Sequence, residues 1–514
     1  MSDYELTENV FGRQGYGRVN GMGTGVRPTQ FRGNLRDRSK SQRSEQEVEK
    51  LRTELQEEIK RRISELVGGI YGEIFSTSTT GSIGRTTTME VVLISSEIVK
   101  PSSPTPPDLR RLPLSFLDQL SDPHFMPLIF YYLSAPDSFH LKKSLSLTLS
   151  RFYPLAGRIQ ANDAVICNDE GIQYLQAEVI SNHRLIDVVN NSQPSDIQTL
   201  IPPKPPTKQH IMSIQVNFFS CGGIAIATHS SHKTMDALSV ITFANAWAAA
   251  ARNDIGSIVS PKFDMTALFP PRDTCCYSRC TSDLENNVVS KRFIFSGTAL
   301  SLLRDKYSSN INNNNNAYCR PSLVEALSTF IWTRFVHLKN NNNKNKKKYG
   351  LIQAVNLRTR IKPHLPASYF GNLSRFAVVV TESDISGSAM VRRMRDSIRK
   401  IDTEYLEKLK NGDLQLEWVE ELKKNEGECL SFSALHKLPL QEVDFGFGSP
   451  TWVTLGGLNL RNTVYFLPTT AEEAAAAAGS VGVEAWINLK EEDMRGLEQD
   501  TEFLKFASSV YGLV

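Results

Sequence analysis

The chain has 514 residues, of which 40% are hydrophobic and 22% charged, the balance of a soluble globular protein large enough for several domains. A formal charge of +3 gives no overall nucleic-acid signature, and no run of about 20 apolar residues reads as a membrane span. Seven scattered cysteines make no disulfide framework, and the first residues lack a basic start and an apolar h-region, so a cytoplasmic protein is expected.

In chain order, residues 11–43 are rich in Gly, Arg, Ser and Gln and read as disordered. Ser44 and Glu47 form a capping box that opens a charged helix, with Val48, Leu51, Leu55, Ile59, Ile63 and Leu66 on one stripe. That stripe suits a short coiled coil or a face laid on the main body. Gly68-Gly69 ends it, and residues 76–88 are a Ser/Thr/Gly linker, so residues 1–88 are expected to be an appendage.

From Met89 the texture becomes compact. Met89–Ile98 predicts a strand, and the Pro-rich stretch 101–107 a loop. Leu141, Leu145, Leu149 and Phe152 repeat at helical spacing until Pro154. Ile211–Phe219 and Ile224–Thr228 flank Cys221-Gly222-Gly223 as a hairpin, and Ala237–Ala251 reads as an Ala-rich helix. Residues 261–280 lack periodicity and read as a crossover between two halves.

The second half repeats the alternation, with strands at Phe293–Phe295, Gly350–Asn356 and Arg375–Thr381 and helices at Thr298–Lys306 and Ser322–His337. Asn-rich tracts at 312–316 and 340–345, the second running into Lys346-Lys347-Lys348, and the run Ala474–Ala478 read as surface loops. Cys275, Cys276 and Cys280 cluster without a histidine at zinc-finger spacing, which favours reduced thiols over a metal site.

The chemistry centres on His232, at the end of an apolar run and four residues before Asp236. A histidine at a strand-to-helix corner can take a proton near neutral pH, its unperturbed pKa being about 6.5. His229 lies three residues earlier, but no third ligand accompanies the pair, so no metal is expected. No Gly-x-Ser-x-Gly elbow is present, which leaves direct transfer rather than a covalent serine intermediate.

Several segments, in the correct order, together resemble the plant BAHD acyl-CoA-dependent acyltransferases over roughly residues 89–514. They are Leu114-Ser115-Phe116-Leu117-Asp118-Gln119-Leu120; Tyr153-Pro154-Leu155-Ala156-Gly157-Arg158; and Cys167-Asn168-Asp169-Glu170-Gly171. Ser231–Ala237 carries the HxxxD motif, followed by Asn356-Leu357-Arg358-Thr359-Arg360 with Phe370-Gly371-Asn372. Asp444-Phe445-Gly446-Phe447-Gly448 resembles the DFGWG motif, and Glu484-Ala485-Trp486 with Glu491–Met494 the C-terminal end. Ser231–Ala237 is most similar to the alkaloid O-acetyltransferase branch.

The resemblance implies an α/β fold of two similar chloramphenicol acetyltransferase-like domains, with mixed β-sheets flanked by helices and a channel between them. The domains would span 89–262 and 291–514, joined by a crossover at 263–290. It implies an acyltransferase moving an acyl group, foremost acetyl, from acyl-CoA to a hydroxyl of a specialised metabolite such as an alkaloid, terpenoid or phenolic alcohol. Acetyl-CoA would be a co-substrate and no cofactor tightly bound. The only partners expected are donor and small-molecule acceptor, with no nucleic acid and no membrane, and the protein would be a monomer.

His232 would be the general base. Asp236 would pair with Arg358 or Arg360 in a structural role, with orientation of His232 as the rival role. Ser433 aligns as a donor to the oxyanion, Asn372 as a channel residue, and Asp444, Phe445, Gly446, Phe447 and Gly448 as an architectural turn. The sequence departs from the family pattern at Ala237, where Gly is usual, at Phe447, where Trp is usual, and at Leu435, where many members carry Trp. Two other readings stay open: a catalytically weak BAHD-like binding or regulatory protein, and an N-acyltransferase acting on an amine.

Overall fold

A computed structural model describes residues 89–514 apart from 135–138, 181–183, 192–193, 206, 208, 274–286, 311–317, 341–346, 415–416, 426, 457–459, 471–481 and 510–514. The expected N-terminal helix and linker, the Cys275/Cys276/Cys280 cluster, the Asn-rich tract 312–316, the second such tract beyond Asn340 and the Ala474–Ala478 run lie outside the described residues.

Two mixed sheets form the frame. The first contains β1 (Glu90–Val99), β2 (Phe125–Tyr132), β3 (Ile172–Ile180), β4 (Met212–Phe219) and β5 (Ile224–Ser231). The second contains β6 (Val288–Phe295), β7 (Lys348–Asn356), β8 (Ser374–Glu382), β9 (Glu428–Ala434), β11 (Thr463–Pro468) and β12 (Val483–Lys490), with Ser508–Ser509 at its edge. Between β9 and β11 the chain makes a short strand, β10 (Trp452–Thr454).

Strand β10 does not join the second sheet. It pairs antiparallel with β2, Trp452 opposite Tyr131, giving the first sheet the order β1-β3-β4-β5-β2-β10. Residues 452–454, from the later half of the sequence, thus complete the sheet of the earlier half. The reason is apolar. Trp452 and Val453 are at most 1% exposed, and Trp452 lies against Tyr131 at 4.9 Å between ring centroids.

The helices cover these sheets. The α-helix Ala237–Ala251 is buried along most of its length because small side chains let it sit close to its neighbours. Its Trp247 donates its indole N–H to Leu141 O and Ser144 Oγ, both at 3.1 Å, which fixes the helix Phe139–Arg151 against it. In the second half Ser322 and Glu325 form a reciprocal cap on the helix Leu323–Asn340, whose Phe330, Trp332 and Phe335 fill a core with Phe293, Phe432 and Phe466. No helix among the described residues is long and apolar enough to cross a membrane.

The hairpin of β4 and β5 brings His232 into position. Gly222, at φ 84°, takes the left-handed turn that a side chain would resist, and its N–H donates to Phe219 O at 2.9 Å. Strand β5 then runs antiparallel to β2 with Ser231 opposite Phe125, and ends where Asp236 caps the Ala-rich helix.

Candidate active site

His232 leaves the end of β5 beside the start of β2. Its N–H donates to His124 O at 2.8 Å, and the two imidazole rings stand 5.1 Å apart between centroids, inclined at 56°. Both line a cavity of about 1720 Å³ whose walls come from both sequence halves. In each ring Nδ1 is buried without a hydrogen-bond partner. Burial, and then the neighbouring His232, push His124 down to a pKa of about 3, so it stays neutral at physiological pH.

Asp236 turns away from that imidazole. Its carboxylate caps the Ala-rich helix by accepting from Ser239 N at 2.9 Å. It also accepts from Arg358 through Nη1 at 2.7 Å and Nη2 at 3.2 Å, and from Leu373 N at 3.1 Å. Burial alone would raise its pKa, but the Arg358 guanidinium and these hydrogen bonds outweigh it and hold the carboxyl below its ordinary value. Arg358 is itself 2% exposed and donates also to Tyr369 O and Ser239 Oγ. The two candidate arginines thus separate: Arg358 meets Asp236, whereas the Arg360 side chain makes no ion pair among the described residues.

Asn372 stands elsewhere than expected. It is 2% exposed and is not among the residues that line the cavity. Its amide nitrogen donates to His232 O and to Asp118 Oδ1, both at 2.9 Å, while its N–H donates to the same Asp118 oxygen at 3.0 Å. These bonds draw the side chain behind the histidine instead of into the channel. Asn372 Oδ1 is buried without a partner, as is His232 Nδ1.

Ser433 lies on β9 and lines the cavity, half-buried, as does Leu435 just beyond the strand's end. Leu128, Val240, Ile241, Leu438, Leu440 and Leu455 make much of the remaining wall apolar. Asp444, Phe445, Gly446, Phe447 and Gly448 are absent from that wall. Asp444 Oδ1 accepts from Gly446 N at 2.7 Å and Gly448 N at 2.8 Å, closing a turn whose glycines sit at φ 100° and 87°. Phe445 and Phe447 meet the Tyr132 ring edge-on at 6.0 and 5.5 Å, and Tyr132 donates to Val443 O at 2.6 Å.

Three contributors went unread in the sequence. Asp118 accepts from Ser115 N and Oγ as well as from Asn372, so it ties the segment Leu114–Leu120 to the Gly-Asn corner. Burial raises its pKa. Lys233 is 3% exposed, and its ammonium donates to Gln119 O at 2.8 Å and Ser121 O at 3.0 Å, at the end of the helix Phe116–Leu120. His124 is the third. Only the antiparallel register of β2 and β5 sets it beside His232, and no spacing rule would find it. His229, by contrast, has its Nδ1 within 3.1 Å of Pro202 O and packs on Phe125. Among the described residues no group of three His, Cys, Asp or Glu side chains could hold a metal ion.

Comparison with known proteins agrees with this architecture. The Transferase family model matches residues 89–504. Stemmadenine O-acetyltransferase of Catharanthus roseus is 34% identical over 428 residues, covering 80% of this chain and 97% of that protein. The crystal structure of vinorine synthase, an enzyme known from Rauvolfia serpentina, superposes with a TM-score of 0.69 at 31% identity, covering 82% of this chain and 99% of the other. The F. graminearum TRI101 structure with coenzyme A and T-2 mycotoxin shares the fold alone, with a TM-score of 0.60 at 18% identity, over 78% of this chain and 99% of that one. The chain belongs to the Transferase family, the BAHD acyl-CoA-dependent acyltransferases, and is an acyltransferase of that type.

Proposed function

We propose that this protein transfers an acetyl group from acetyl-CoA to a hydroxyl on an apolar, ring-rich metabolite, with His232 as general base. The observation that carries this reading is His232 in the wall of a cavity of about 1720 Å³ built from both halves, its Nε2 without a partner among the described residues. Donor and acceptor can approach it together there.

The acceptor hydroxyl donates to Nε2, and as its oxygen attacks the thioester carbonyl the proton passes to His232. The carbonyl oxygen becomes an oxyanion, to which the Ser433 hydroxyl donates from β9. Collapse breaks the carbon–sulfur bond, and the leaving thiolate of CoA recovers the proton from the imidazolium. Lone-pair chemistry at Nε2 requires the proton on Nδ1, the nitrogen that burial keeps away from the cavity. Asp236 and Arg358 act one step back, by holding the corner that carries the histidine.

The apolar lining of Leu128, Val240, Ile241, Leu435, Leu438 and Leu440 supports a fused-ring acceptor, and stemmadenine O-acetyltransferase is named for an acceptor of alkaloid type. Leucine at 435 in place of a larger aromatic leaves room for bulk. Arg393, Lys400 and Lys423 lie in the cavity wall on the second-half side, where phosphates of the donor would find charge. The same reading has the protein acting as a monomer. Free thiols at Cys167 and Cys221 suit the reducing cytoplasm.

The test is CoA release from acetyl-CoA across a panel of alcohols and amines. His232→Ala should lower kcat by about 10²–10⁴-fold, the range of a lost general base. Release at the wild-type rate by that variant, or no release with any acceptor, refutes the proposal.

A further inference from the structure

His124 is not part of the HxxxD motif and has no role in the steps above, yet it is the side chain whose ring stands beside His232, 5.1 Å away between centroids. Its backbone is fixed by the same bond that fixes the motif, since His124 O accepts from His232 N at 2.8 Å. Its Nδ1 is sealed without a partner, whereas Nε2 has none among the described residues and the ring lines the cavity. Nε2 is therefore the nitrogen this ring can offer to whatever fills the cavity, and the tautomer protonated there makes it a donor. Lys233, bound to Gln119 O and Ser121 O, anchors the backbone turn that leads to His124.

We propose that His124 is an acceptor-positioning residue: its Nε2–H grips a second oxygen on the carbon next to the hydroxyl that His232 deprotonates, so the enzyme selects alcohols with a neighbouring oxygen. The inference rests on acyl transfer at His232. Two imidazoles of fixed spacing can hold two oxygens of one substrate, each through a hydrogen bond of about 2.8 Å. A second donor on the reacting oxygen itself would withdraw electron density from it and weaken its attack. Neutrality of His124 fits the role, because a second cation would oppose formation of the His232 imidazolium.

The test uses two alcohols of equal shape, trans-2-methoxycyclohexanol and trans-2-ethylcyclohexanol, with acetyl-CoA and the full-length protein. They differ only in whether the neighbouring group can accept a hydrogen bond, and each has one hydroxyl to acylate. Each is measured by kcat/KM or, when its turnover is slow, as a competitive ligand against the best acceptor of the alcohol panel. The wild type should favour the methoxy compound by about tenfold or more. His124→Phe should erase that preference while leaving the acetyl-CoA KM unchanged, and His124→Gln, which keeps an N–H donor, should restore most of it. A wild type without the preference, or a His124→Phe protein that retains it, overturns the inference while leaving acyl transfer standing. A wild type that releases CoA with no alcohol refutes both together.

Discussion

Replacing Asp236 by asparagine separates a structural carboxylate from a catalytic one. The substitution preserves shape but removes the charge that faces Arg358 at 2.7 Å, and one carboxylate oxygen becomes an NH2 group. At either oxygen that group meets only donors: Arg358 and Ser239 N at Oδ1, or Arg358 and Leu373 N at Oδ2. Arg358, 2% exposed, keeps its charge with no carboxylate to answer it. Breaking a buried pair in this way costs about 3–5 kcal/mol, and the unfolding entropy of a body this size converts that to a fall in Tm of about 3–6 °C. The carboxyl's depressed pKa carries the same message: its stabilisation is full above the unfolded pKa near 4 and is lost as pH falls through the lower folded value. Differential scanning of purified wild type, Asp236→Asn, Arg358→Met and the double variant measures the coupling, which should be at least about 1 kcal/mol. An Asp236→Asn protein with wild-type Tm but abolished turnover would sink this reasoning and give the carboxylate to His232.

Three further expectations concern other parts of the molecule. Burial lowers His124 to a pKa of about 3 and His229 and His436 to about 4. Below about pH 6.5 the unfolded chain binds protons that these folded imidazoles refuse, so stability should drop by on the order of 1 kcal/mol per pH unit per histidine, with Asp118 opposing in part. A Tm unchanged between pH 6.5 and 5 contradicts this. Glu484→Gln should destabilise by about 3–5 kcal/mol, because Glu484 accepts from Arg292 at 2.7 Å, Trp452 Nε1 at 2.9 Å and Trp486 Nε1 at 3.3 Å at 0% exposure. Chemical denaturation with an unshifted midpoint would show that Arg292 finds compensation. Lys233→Met should raise the acceptor KM several-fold with little change in the acetyl-CoA KM, since two charge-assisted bonds to the 119–121 turn disappear; equal movement of both constants would speak for general loosening.

Elements with a strong local period were legible in the sequence. Ala237–Ala251 was readable from its composition, and Ile211–Phe219 with Ile224–Thr228 from the glycine turn between them. The strands β2 and β12 left no such trace, since most of their residues are buried and their runs do not alternate. At the site, His232 was visible because a motif holds it within five residues. Asn372 was readable as a participant but not as a clamp behind the ring, because its partners Asp118 and His232 lie 254 and 140 residues away. His124 was hidden for the same reason: strand register is set by packing across the whole sheet. Phe447 illustrates the converse, for an aromatic between two glycines was legible as packing, and it rests on Tyr132 at 5.5 Å.

The return of Trp452–Thr454 to the sheet begun by β1 has a consequence for biogenesis. A ribosome finishes β2 and β5 long before it reaches residue 452, and at 5–20 residues per second the wait lasts roughly ten seconds to under a minute. Throughout that interval the outer margin of β2, with its Tyr131 and Ile129, waits uncapped and able to template foreign strands. A nascent chain truncated between the halves would carry that sticky margin indefinitely, so the two halves are inseparable as expression units and chaperones must guard the first until the second is made.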